Sequence, residues 1–417
     1  MITSAAYVHE IGPGRYTAWV STNAGRSARR REAWTALALA LLLLALVDAA
    51  VVARLGFLHA AEEVLEHDHH RYIAMAESTP GRFEAEAPVP PFCWRLLVPA
   101  LVWGLARAGL GVDAGYYATT QIFLLGFLLA LYAHLRQRGH APAAARWGLV
   151  LAALLPATLR WYAYQYWMPD PLALFLVALS FVLLWAGRWA WLVPLALVGV
   201  ATRESYVIVL PYLLLFTLRT ATVRVALRRT LLVALPALTL LVVLRHVIEP
   251  AAPYDVVATL KRMVAFRLRH SRGGQQPYFM TVGTFGVLVP VLLLFPGRAW
   301  AWCRRHYDDL AVLATAYASL LLANNTDRLL VYALPALLPA ALASLARWRD
   351  LTRVPLLPPA LLLAGAQAFV WQQTRWLALG ASLRQPLNLR VLALLGALWV
   401  AGLAMRACRL TPRAPGG

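Results

Sequence analysis

"WTALALALLLLALVDAAVVARLGF" occupies residues 34–57, and only Asp48 and Arg54 in it carry charge. A stretch of this length exceeds the roughly 20 apolar residues that carry a helix across a bilayer. The rest of the chain agrees: of its 417 residues 61% are hydrophobic and 14% charged, against roughly half and a quarter in soluble domains. The sequence therefore predicts an all-α, polytopic membrane protein.

Immediately before this run stands "RSARRRE" (26–32). Cytoplasmic loops collect Arg and Lys, so the basic cluster places residues 1–32 inside as a cytoplasmic tail. No cleavage site follows, which excludes a secretory signal peptide. The first crossing then delivers residue 58 to the outer face. The next strongly basic loop, "HLRQRGHAPAAAR" (134–146), returns the chain to the cytoplasm. Only one crossing fits between them. Residues 116–134 are assigned to it, and the shorter 95–110, carrying Arg107, becomes an interfacial or re-entrant helix.

With that choice, the basic loops at Arg188, 219–230, 297–306, 346–353 and 406–413 all fall inside. The count is about twelve spans over 33–406, with both termini cytoplasmic and 407–417 as a second tail. Residues 58–110 form a first outer loop carrying the amphipathic and re-entrant helices. The formal charge of +20 is thus read as topology and not as a nucleic-acid surface. Cys93, Cys303 and Cys408 have neither redox nor metal spacing. An arginine-, alanine- and leucine-heavy composition suggests a bacterial chain, hence the inner membrane.

The first outer loop concentrates the titratable groups. In "LEHDHHRYIAMA" (65–76), helical spacing puts Ala61, Val64, Leu65, Asp68, Tyr72, Met75 and Ala76 on one face. Glu62, Glu66, His69 and Glu77 fall on the flanks. A carboxylate on the apolar side of an interfacial helix is desolvated, which raises its pKa and suits it to act as a base. A solvated loop acid is the plainer reading of Asp68. His67, His69 and His70 have no metal-site spacing and read as interfacial histidines.

Further along, Arg95 in "PPFCWRLLVP" (90–99) could grip a phosphate or merely snorkel. Asp170 in "MPDPLALF" (168–175) is either a helix-start acid or a second outer carboxylate. Arg203 and Glu204 sit together at one hairpin, and Asp327 and Arg328 at another; charge at such depth marks either a site or a surface turn. Lys261, Arg262, Arg267, Arg269, His270 and Arg272 make the 248–281 segment basic on the wrong side. That asks for an anionic ligand or anionic headgroups. Asp48 in the first span has Arg54 within two turns as a candidate partner.

These motifs, in this order and on this side of the membrane, resemble the GT-C class of integral-membrane glycosyltransferases, which includes protein O-mannosyltransferases and the lipid A aminoarabinose transferase. The resemblance rests on Asp68, Tyr72 and Ala76 in a D-x-x-x-Y-x-x-x-A arrangement, on Asp170, and on Asp327, Arg328 and Pro335, and it covers about residues 34–340. The chain departs in having Asp68-His69 in place of a paired acid or Asp-Gly, and in lacking a large soluble C-terminal domain.

The class implies a polyprenyl-phosphate sugar donor, a glycan, lipid or protein acceptor, and inverting displacement at the outer face. Asp68 would then be the base, with Asp170 as the second catalytic carboxylate, positioning the acceptor or the base. Tyr72, Arg95, Arg203, Glu204, Lys261, Arg269, Asp327 and Arg328 would bind substrate. A divalent metal is left open and no metal ligand is assigned. Three rivals remain: an O-antigen-type polymerase using the 261–272 loop, a transporter or lipid flippase, and a non-enzymatic scaffold. Few mid-membrane charges beyond Asp48, and no repeat, speak for transport.

Overall fold

A computed structural model of the protein describes residues 23–58, 68–78, 90–155, 157–248, 255–270, 281, 283–320 and 327–352. Residues 1–22, the 371–390 stretch, Arg272, Cys408 and the 407–417 tail lie outside the described residues. Every described element is a helix. In chain order they are α1 (Asn23–Leu55), α2 (Asp68–Glu77), α3 (Leu97–Arg107), α4 (Val112–Gln137), α5 (Pro142–Leu154), α6 (Leu159–Tyr164), α7 (Asp170–Trp185) and α8 (Leu192–Thr202). There follow α9 (Val209–Leu218), α10 (Val223–Val247), α11 (Val256–His270), α12 (Leu288–Leu293), α13 (Pro296–Arg305), α14 (Tyr307–Ser319), α15 (Asp327–Leu330) and α16 (Leu334–Thr352).

Four of these are long and apolar enough to cross a membrane: 27 residues of α1, all of α4 and α10, and 23 residues over α15–α16. The remaining apolar helices have 10–17 residues. At about 1.5 Å per residue, the 11 residues of α3 rise only about 16 Å, half the hydrocarbon thickness.

The pair α4 and α7 forms the centre. Gly126 permits their close approach, since a Cβ there would lie 2.9 Å from the Phe175 ring. Both helices stop for the same reason: Gly139 and Gly187 adopt φ of 85° and 72°, which residues with a Cβ resist. The following amides then fold back onto the last turns, His140 N–H to Leu135 and Arg188 N–H to Leu183. The chain reverses each time, so Val112 and Trp185 end up at opposite ends of the bundle. Helix α10 closes one flank against α8 and α9, and α14 packs on α9.

Asp48 accepts Tyr117 Oη and, at 3.2 Å, Gln121 Nε2, both on α4; the side chain of Arg54, the partner the sequence suggested, is outside the description. The segment 248–281 contains a 15-residue helix, α11, where a loop was expected. Asp255 starts it by accepting the N–H groups of Val257 (2.8 Å) and Ala258 (3.0 Å).

Candidate functional site

The site begins with α2. Its amphipathic spacing works as the sequence suggested for Tyr72, Met75 and Ala76, all of which are buried. His69, expected on a polar flank, is instead fully buried, its ring 5.4 Å from that of Trp167. Position 69 is three residues before Tyr72, so the buried stripe simply extends one turn. Asp68 opens the helix and shares the Tyr72 face by its i, i+4 spacing; its side chain is outside the description.

Tyr72 ties α2 to two other elements. Its carbonyl accepts Tyr116 Oη of α4 at 2.5 Å. Its own hydroxyl accepts Arg95 Nη1 at 2.8 Å. Arg95 ends the short turn Phe92–Trp94, and its guanidinium lies 5.2 Å from the Phe92 ring centre. The rest of its fork meets Glu204, with Nε 2.9 Å from Oε2 and Nη2 on Oε1. That paired geometry matches a planar guanidinium to a planar carboxylate. Burial by itself raises the Glu204 carboxyl, but Arg95 and then Arg203 outweigh it and hold the group at about 2.

The next residue inward is Arg203. It is extended (φ −163°, ψ 132°) between α8 and the turn Glu204–Ile208, so Arg203 and Glu204 point to different partners. Arg203 is ion-paired with Asp170, the first residue of α7. Asp170 makes no helix cap; it faces Arg203 on one oxygen and Arg328 on the other, at 3.8 Å. Arg328 Nη1 also donates to Met168 Sδ at 3.3 Å. The Glu204 side chain keeps 35% of its surface exposed while that of Asp170 keeps none, so the cluster runs from an open end to a sealed one.

Six sequence candidates are thus gathered: Tyr72, Arg95, Glu204, Arg203, Asp170 and Arg328. Three guanidiniums face two carboxylates, leaving one net positive charge among them. Asp170 stands between two arginines, an arrangement that suits positioning and electrostatics. Asp327 opens α15 beside Arg328, with its side chain outside the description, as is that of Arg269. Lys261 is exposed on α11 and is not among the residues of the cluster.

Among the described residues, no three His, Cys, Asp or Glu side chains are gathered as metal ligands would be. Cys93 and Cys303 are free thiols.

A second charged cluster, which the sequence reading treated only as loop charge, sits at the other end of α4 and α7. Arg138 grips Asp309 (2.6 and 3.3 Å) with its guanidinium between the Trp185 and Trp302 rings, at 4.8 and 4.9 Å. Arg219 meets both oxygens of Asp308 at 3.0 Å. The available signal was the adjacent pair Asp308-Asp309 within a basic surround.

No protein-family model matches the chain, and neither does any curated protein or solved structure compared with it. The class defined by fold and site is an all-helical protein with helices able to span a membrane and a buried arginine–carboxylate cluster at one bundle end.

Proposed function

We propose that the protein is an inverting glycosyltransferase of a bacterial inner membrane. It moves a sugar from a polyprenyl-phosphate donor to an acceptor at the outer face, from a bundle of about twelve crossings with both termini cytoplasmic. The observation that carries this reading is the junction of α2 with the cluster: Tyr72 bonds Arg95, Arg95 grips Glu204, and the adjacent Arg203 pairs with Asp170.

Displacement at the anomeric carbon requires a base for the acceptor hydroxyl and positive charge for the departing phosphate. The first need falls to Asp68, one turn before Tyr72 on α2. The second falls to the guanidiniums, whose single surplus charge favours a dianionic or monoanionic lipid phosphate. Asp170 fixes Arg203 and Arg328 in position. The basic helix α11, with Lys261 exposed and Arg269 two turns on, adds a field that draws anionic headgroups to the same face.

The test is transfer of radiolabelled sugar from a panel of polyprenyl-phosphate donors in membranes carrying wild type, Asp68→Asn, or Lys261→Ala/Arg262→Ala. Wild-type transfer abolished by Asp68→Asn at equal expression supports the reading. Transfer intact in Asp68→Asn and lost in the α11 variant turns it toward a polymerase. No transfer from any donor by wild type removes the enzymatic reading.

A further inference from the structure

Helix α10 carries an apolar stripe that stays exposed. Leu227, Leu231, Leu235, Leu238 and Val242 recur at three- and four-residue steps, which is one face of a helix, and each is between 45% and 58% exposed. Arg224 stands three residues before the stripe and Arg245 three residues after it, on the same face, and both are exposed. At about 1.5 Å per residue the two arginines lie about 32 Å apart along the axis, close to the roughly 30 Å of a bilayer's hydrocarbon core. The stripe thus matches the acyl region in length, and its arginines match the headgroup levels.

The two ends differ. The Arg245 guanidinium lies 5.0 Å from the centre of the Trp94 ring, and Leu244 and Ile248 of the same helix end pack with Cys93 and Trp94. A ring engages a guanidinium without using its N–H donors. Arg95 and Arg138 also rest on rings, but each gives its donors to a carboxylate, Glu204 and Asp309. Among the described residues no carboxylate pairs with Arg245, and no ring lies under Arg224.

A cation held on a ring at headgroup level, continued into the bilayer by an apolar stripe, is complementary to a phosphate that carries an acyl chain. A phosphatidylcholine headgroup brings its own cation, which competes with Arg245; a phosphatidylglycerol headgroup brings none. Half the core, about 15 Å, is one leaflet, and Leu235, Leu238 and Val242 line that depth beside Arg245. An acyl chain has that reach, whereas a polyprenyl chain is several times longer.

We propose that Arg245, held on Trp94, seats the phosphate of an anionic diacyl phospholipid, with an acyl chain along Leu235, Leu238 and Val242. The lipid is distinct from any substrate of the buried cluster, where Arg95 already has Glu204 and Tyr72 as partners. The inference needs α10 to cross the membrane, and it holds for either orientation.

The experiment follows the thermal midpoint of the full-length protein in neutral detergent. The titrants are dioleoyl phosphatidylglycerol, dioleoyl phosphatidylcholine, polyprenyl phosphate and glycerol 3-phosphate. Phosphatidylglycerol should raise the wild-type midpoint at the lowest concentration, and glycerol 3-phosphate, which has no chain, should not raise it. Arg245→Gln should weaken phosphatidylglycerol about fivefold and leave phosphatidylcholine unchanged. Arg224→Gln should bind as wild type does. Arg245 is exposed, so without lipid Arg245→Gln should melt close to wild type.

Equal stabilisation by phosphatidylglycerol and phosphatidylcholine overturns the seat, as does an equal loss in Arg224→Gln and Arg245→Gln. Polyprenyl phosphate acting ahead of phosphatidylglycerol gives Arg245 to an isoprenoid lipid and overturns the assignment. A dimer in mild detergent with no lipid preference gives the stripe to a second copy and overturns it too. A lipid-free Arg245→Gln protein that melts far below wild type makes Arg245 a fastener of α10 on Trp94, with the same result.

Discussion

At the residue scale, Glu204 shows how a charge can be read in sequence and its partner cannot. Its neighbour Arg203 looks like the natural counter-ion, yet the extended backbone at Arg203 turns the two side chains apart. Arg203 goes to Asp170, and Glu204 to Arg95, more than a hundred positions earlier. No local spacing encodes that exchange. Five charged members of the candidate cluster, Arg95, Asp170, Arg203, Glu204 and Arg328, stood out in the sequence because charge is rare in an apolar chain; their pairing did not, because it depends on which helix ends meet. The pairing has a pH signature. Glu204 titrates near 2 in the folded chain against an ordinary 4.5, so the unfolded chain binds the proton first. The pair's contribution is fully present above about pH 4.5 and is lost as pH falls toward 2. The difference in unfolding midpoint between wild type and Glu204→Gln in detergent should therefore be largest above pH 5 and shrink steadily toward pH 3. A difference independent of pH would show that Glu204 contributes through packing alone.

At the element scale, short helices need fastening that their length does not supply. Helices α9 and α14 have 10 and 13 residues, and both are tied to the bundle at the end remote from the candidate site. Arg138, the residue that ends α4, grips Asp309 of α14, and Arg219, the residue that ends α9, grips Asp308 of the same helix. The Trp185 and Trp302 rings lie on either side of Arg138 and shield the pair from water. The sequence reading took the arginines of these loops as one-sided topological charge. Their second role was hidden because Asp308 and Asp309 lie about 90 and 170 residues from their respective partners. Removing one partner leaves a buried charge uncompensated, so Arg138→Met should cost about 3–5 kcal/mol of unfolding free energy. Arg138→Met/Asp309→Leu should recover most of it, because two apolar side chains then meet. Chemical unfolding of the purified variants measures both. A double variant as unstable as the single one would assign the loss to the Trp185–Trp302 stack instead of to the charges.

At the scale of the whole molecule, the apolar runs announced membrane helices, and α1, α4, α10 and α15–α16 are long enough to be so. Their surroundings differ: 83% of the most apolar window in α15–α16 is buried by other helices, but only 17% of that in α10. Sequence could not separate these cases, because lipid-facing and core-facing surfaces have the same composition in a membrane protein. Exposed Leu231, Leu235, Leu238 and Val242 make α10 an outer wall. That wall also offers a test of orientation. Its last turn packs on the candidate site, with Arg245 5.0 Å from the Trp94 ring beside Arg95, while Arg224 begins its opposite end. Twenty-five helical residues rise about 38 Å, enough to separate the two ends by a full bilayer core. The proposed topology thus makes a sharp prediction in a chain whose Cys93, Cys303 and Cys408 are replaced. Lys261→Cys, on the helix after α10, should react with an impermeant maleimide in intact cells. Arg224→Cys should react only after permeabilisation. The reverse pattern would turn the Tyr72–Arg95–Asp170 cluster toward the cytoplasm, where its donor would have to be soluble or an inward-facing lipid, and the sign of every basic loop would then need another cause.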